Sequence, residues 1–111
     1  VSRTISPRIT NAIRLLKDSQ GQFPLSLLSQ QLNINQRKLE RLFKVQLGMT
    51  ARDYAKTIRA EHARSLLKKT KISLAEAAYK LGFYDQAHFN KSFKSVVGIT
   101  PGQYQANSQN K

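Results

Sequence analysis

Apolar residues recur along this chain at intervals of three and four, the period of helices that each pack along one side. Ile9, Ala12, Ile13 and Leu16 share a face; Ser6-Pro7 reads as an N-cap and first helical position, and Gly21 stops that helix. A short second helix is predicted over Leu25 to Leu32. Asn35 caps a third, whose Leu39, Leu42, Phe43 and Leu47 face inward and which Gly48 ends. Thr50-Ala51-Arg52-Asp53 is a capping box opening a long fourth helix to about Lys69, packed through Tyr54, Ala55, Ile58, Ala63, Leu66 and Leu67. Ser73-Leu74-Ala75-Glu76 is a second box, for a fifth helix that ends at Leu81-Gly82. Asp85 caps a sixth, with Phe89, Phe93 and Val96 inward and Gly98 as its stop. Thr100-Pro101 starts a short seventh. From Gln105 to Lys111 no apolar pattern remains, and a loose tail is expected. No stretch reads as a strand. The fold class is therefore all-α, with about seven helices.

The pattern repeats. At an offset of 50, Leu39 falls on Phe89, Phe43 on Phe93, Lys44 on Lys94, Gly48 on Gly98, Thr50 on Thr100 and Tyr54 on Tyr104. Upstream the offset is 49, with Leu25 on Leu74 and Leu32 on Leu81, because "LGFYD" holds one residue more than "LNIN". The repeated unit is a short helix, a tight turn, a second helix and a glycine stop, which is a helix-turn-helix. Residues 1–48 are expected to form a first such subdomain. Residues 49–70 then form a linker helix, and 71–111 a second subdomain with its tail.

Paired helices often exist only to pack; the charge changes that preference. The 111 residues carry 19 Lys and Arg against six acids, a net +13. So large a surplus points to a polyanion, most often nucleic acid, whose counterions are released on binding. The buried side of the third helix leaves Arg37, Glu40, Arg41 and Lys44 in one outer stripe, with Gln36 at its start. In the sixth, the outer stripe is Gln86, Ala87, Asn90, Lys91 and Lys94. These side chains suit the major groove of double-stranded DNA: Arg and Lys donate to guanine, Asn and Gln pair with adenine, and Ala touches a thymine methyl. Glu40 can accept from a cytosine amino group, although a pair with Arg37 or Lys44 on its own helix is the preferred expectation. Lys44, Lys94 and the helix starts at Thr50 and Thr100 are candidates for phosphate, which positions a protein without reading sequence. The fourth helix has a second, basic side of Arg52, Lys56, Arg59, Arg64 and Lys68. At about twenty residues it spans roughly 30 Å, close to a turn of B-DNA. Two reading helices on one rod would then enter successive major grooves.

The stretch "ISLAEAAYKLGFYDQAHFNKSFKSVVGITPGQY", residues 72–104, resembles the DNA-binding domain of the AraC/XylS family of bacterial transcription regulators. "RKLERLFKVQLGMTARDY", residues 37–54, is similar to that family's first reading helix, and "IRAEHARSLLKKT", residues 58–70, to its linker. The resemblance covers nearly all of residues 6–105. It implies sequence-specific binding to promoter sites by two helix-turn-helix units. By position it assigns base reading to Arg37, Glu40 and Arg41, and to Gln86, Ala87, Asn90 and Lys91. It implies a cytoplasmic, nucleoid-associated protein; activation by contact with RNA polymerase is common in the family, but no residue here assigns that contact, and the sequence does not say whether transcription rises or falls. It also implies an effector-binding or dimerisation domain outside this chain. Three positions depart from the family pattern: Pro24 stands where Ser or Thr often caps, Asn33 where a turn glycine is frequent, and Ala87 is too short for a hydrogen bond.

Other functions find little support. Two histidines, no cysteine and six scattered acids offer no catalytic constellation, no metal site and no cofactor site. His62 reads as a packing or surface residue, and His88 as one that packs beside the turn or touches phosphate. No apolar run approaches the roughly 18 residues needed to span a membrane.

Overall fold

A computed structural model describes residues 4–109. Its helices are α1 (Pro7–Asp18), α2 (Leu25–Gln31), α3 (Gln36–Leu47), α4 (Ala51–Lys69), α5 (Leu74–Lys80), α6 (Gln86–Val97) and α7 (Pro101–Gln109). There is no strand among the described residues. Each predicted N-cap side chain accepts its bond, while the return bonds of the two predicted boxes, to Asp53 and to Glu76, are not among those made by the described residues. Ser6 Oγ accepts from Ile9 N at 3.3 Å, Asn35 Oδ1 from Lys38 N at 2.7 Å and Asp85 Oδ1 from His88 N at 2.8 Å. Thr50 Oγ1 accepts from Asp53 N and Ser73 Oγ from Glu76 N, both at 3.1 Å. A fully reciprocal box opens α7, where Thr100 Oγ1 accepts from Gln103 N and Gln103 Oε1 from Thr100 N. Such bonds supply the first-turn N–H groups that no helix can satisfy internally. Pro24 precedes α2 without a side-chain cap.

The chain divides into two compact units, the first ending at Ile58 and the second starting at Arg59, inside α4. In the first unit Ile9, Ala12 and Leu16 of α1 meet Leu28 of α2, Leu39 and Phe43 of α3 and Ala51 of α4, all with no exposed surface. Tyr54, Ala55 and Ile58 pack against this cluster, the Tyr54 ring 5.8 Å from that of Phe43. Ser6 N donates to Gln46 Oε1 at 2.8 Å, tying the start of α1 to the end of α3.

The second unit is built on Ala63 and Leu67 of α4, Ala77, Ala78 and Leu81, and Phe89 and Phe93 of α6. Rings run in series through it: Phe83 to Phe89 at 5.1 Å, Phe89 to Phe93 at 5.9 Å, Phe93 to Tyr104 at 5.7 Å. Here the end of α4 does what α1 does in the first unit. Ala12, Leu15, Leu16 and Lys17 reappear 51 residues later as Ala63, Leu66, Leu67 and Lys68. The repeated unit therefore has three helices, and residues 59–69 are as much a core helix as a linker.

The turn of each helix-turn-helix needs one left-handed residue. In the second it is Gly82 at φ 80°; in the first it is Asn33 at φ 59°, a residue type that tolerates this region. Two expectations are corrected. Val96 is 40% exposed and Val97 packs inward instead. The tail from Gln105 is helix as far as Gln109, not loose. Gln105 Nε2 donates to Ile72 O at 2.8 Å and Gln109 Nε2 to Thr70 O at 3.0 Å, so polar side chains anchor what no apolar pattern could reveal. Asn110 and Lys111 lie outside the described residues.

Candidate nucleic-acid interface

Helix α3 buries Leu39 and Phe43 and turns Gln36, Arg37, Arg41 and Lys44 outward, all exposed. Lys38, which the sequence stripe omitted, joins them. Asn35, Arg37, Lys38 and Arg41 line a shallow hollow at the start of the helix, three of its four side chains cationic. The ion pairs among the described residues are Arg14–Asp18 at 3.5 Å and Glu61–Arg64 at 2.9 Å. Arg37, Arg41 and Lys44 thus face solvent with no carboxylate to neutralise them, as an anion-binding face requires.

Glu40 does not join this face as expected, nor does it pair with Arg37 or Lys44. Its Oε2 accepts from Ala51 N at 2.7 Å and from Arg52 N at 3.4 Å. A carboxylate there sits at the positive end of the α4 dipole and satisfies two of its first-turn donors. Thr50 takes the next, from Asp53 N. The backbone donors of residues 51–53 are therefore engaged within the fold, and what Thr50 itself can offer a phosphate is its hydroxyl and its own N–H.

Helix α6 repeats the arrangement with different chemistry. Phe89 and Phe93 are buried, and Gln86, Ala87, Lys91 and Lys94 are exposed. Asn90, the counterpart of Glu40, is half-buried, and its Oδ1 is enclosed with no hydrogen-bond partner. Where the first unit has Ala51, the second has Pro101, which carries no N–H to give it. Thr100 is committed to the Gln103 box through its oxygen, like Thr50.

The aromatics around the second turn split in two. Phe83 packs inward, its ring met edge-on by His88 at 5.7 Å, which places His88 beside the turn. Tyr84, the residue by which the second turn exceeds the first, is 92% exposed.

On α4, Arg52, Lys56, Arg64 and Lys68 are exposed, but Arg59 is not a member of that basic side. Its guanidinium lies 4.9 Å from the Phe83 ring centroid, and burial pushes its pKa down from the ordinary arginine value. The spacing held the signal: Ala55, Arg59 and Ala63 are four apart, on the packing face. Arg64 is drawn the other way, its pKa raised by a hydrogen bond with the Tyr104 side chain and by the charge of Glu61. Among the described residues no cluster of three His, Cys, Asp or Glu side chains is able to hold a metal ion. Among the described residues no helix is long and apolar enough to cross a membrane.

A family model described as a helix-turn-helix domain matches residues 28–107. The HTH-type transcriptional activator RhaR of Enterobacter sp. (strain 638) is 34% identical over 87 residues, covering 78% of this chain and 31% of that protein. The C-terminal domain of AraT, a response regulator from Geobacillus stearothermophilus, matches with a TM-score of 0.84 at 30% identity, over 93% of this chain and 87% of that one. The DNA-binding domain of AdpA, a global transcriptional factor solved with a target DNA, shares the fold with a TM-score of 0.82 at 23% identity, over 95% and 96% of the two chains. The chain spans about a quarter to a third of the length of the curated relatives it matches.

Proposed function

The chain belongs to the AraC/XylS family of helix-turn-helix transcription regulators, as a DNA-binding domain of that family, and on that premise we propose that it binds a specific promoter site. In this reading α3 and α6 enter successive major grooves of one duplex. The observation that carries it is the duplicated helix whose outer face is exposed, polar and basic, and free of carboxylate partners on Arg37, Arg41 and Lys44.

Gln36, Arg37 and Arg41 then meet base edges from the first unit. Gln86, Ala87, Asn90 and Lys91 do so from the second, with Ala87 limited to apolar contact. Lys44 and Lys94, with the hydroxyls of Thr50 and Thr100, hold phosphates and fix register. The described relative RhaR is named a transcriptional activator, and activation through contact with RNA polymerase is the regulatory outcome proposed here. An effector-binding or dimerisation domain joined to this one, and a place on the bacterial nucleoid, complete the proposal.

The test is selection from random double-stranded DNA at about 150 mM salt, because nonspecific binding dominates at low salt. Two enriched blocks about one helical turn apart support two reading heads. Binding without any enriched sequence, fading steeply as salt rises, would replace this reading with a charge-driven architectural binder.

A further inference from the structure

The two repeats diverge at one equivalent position, Glu40 in α3 and Asn90 in α6. We infer that Glu40 is a positioning residue that locks α3 to the start of α4 and reads no base, whereas Asn90 leaves its resting place to read. This rests on the DNA-binding reading above and decides which of its residues confer specificity.

Glu40 Oε2 holds Ala51 N at 2.7 Å and Arg52 N at 3.4 Å. Ala51 has no exposed surface beneath the carboxylate, so swinging Glu40 toward the groove first uncovers that N–H and gives up its bond. Moving to a cytosine amino group would exchange two charge-assisted bonds, one of them part-buried, for one. The carboxylate stays, and it ties α3 to the first turn of α4.

Asn90 is in the opposite position. Its Oδ1 is enclosed and unpartnered, and the residue that would have donated to it is Pro101, also fully buried. A buried acceptor without a donor is a standing penalty that ends when the side chain turns outward. Outside, an adenine supplies what the amide lacks: its N6 amino group donates to Oδ1 while N7 accepts from Nδ2. The fold thus restrains the residue at this position in one unit and releases it in the other. The first block of the site is read by Gln36, Arg37 and Arg41, and the second gains an adenine contact from Asn90.

The test repeats the selection on the intact chain with Glu40→Gln, Glu40→Ala and Asn90→Ala, with a thermal melt of each. Gln keeps an acceptor for Ala51 N, so Glu40→Gln is expected to bind the wild-type site within about two-fold and Glu40→Ala about five-fold more weakly, a single-bond effect. In both, base frequencies in the first block stay as in the wild type. Asn90→Ala is expected to flatten one adenine position of the second block without lowering the melting temperature. A change confined to one base position in either Glu40 variant, or an unchanged second block with Asn90→Ala, overturns the inference while leaving the promoter reading intact. A wild-type protein that enriches no sequence removes both.

Discussion

The guanidinium of Arg59 stacks on the Phe83 ring, 4.9 Å from its centroid, so a residue of the apparent basic side of α4 closes the edge of the second core. Both charge and stem contribute there. Arg59→Ala is expected to destabilise the second unit by about 1–2 kcal/mol. Lys56→Ala, an exposed position on the same helix, should stay within about 0.5 kcal/mol. Thermal unfolding followed by circular dichroism separates the two; equal melting temperatures would remove the structural role of Arg59.

Phe83 and Tyr84 are adjacent aromatics with opposite fates. Phe83→Ala should cost about 2–3 kcal/mol, since it strips ring contacts with Phe89 and His88. Tyr84→Ser, at 92% exposure, should leave stability within about 0.5 kcal/mol. Urea unfolding of the two variants is the check, and a comparable loss in Tyr84→Ser contradicts the burial described.

Gly98 ends α6 at φ 99°, and a Cβ there would meet nothing within 4 Å. The demand for glycine is therefore one of backbone conformation alone. Gly98→Ala is expected to cost about 1–2 kcal/mol, with no repacking of Phe93. Chemical shifts of the Phe93 ring report the second half of that statement, and the melting temperature the first.

The glutamines of α7 hold the segment after α4. Gln105→Ala should release Ile72 O and speed amide hydrogen exchange along α7, at a cost of about 1 kcal/mol. Gln109→Ala, removing an exposed bond to Thr70 O, should affect only the last turn. Unchanged exchange in Gln105→Ala would mean that the helix holds without its anchor.

Readers and holders differ in their salt dependence. Arg41→Ala and Lys91→Ala are each expected to relax one block of the selected site, losing about 1–3 kcal/mol of discrimination. Lys44→Ala and Lys94→Ala should weaken all sequences alike and lower the magnitude of the log–log salt slope by about 1 each. Titrations at several salt concentrations distinguish the pairs; a uniform loss in Arg41→Ala would reassign it to phosphate.

Helix number, order and starts are all written in the sequence, because caps act over three or four residues and apolar period over one helix. Ser6, Asn35, Thr50, Ser73, Asp85 and Thr100 could each be read before any fold was known. So could the outward stripes of α3 and α6, since burying Leu39 with Phe43, or Phe89 with Phe93, fixes which side faces away. The choice between Val96 and Val97 was not legible: both lie within one turn of Phe93, and only the neighbouring helices select one. The helical tail was hidden because amide side chains reaching carbonyls more than thirty residues away leave no local pattern. Glu40 and Arg59 needed the fold for the same reason. A charged residue has a local meaning as part of a stripe, but whether it meets water, a ring or the N–H groups of another helix depends on what tertiary packing brings beside it.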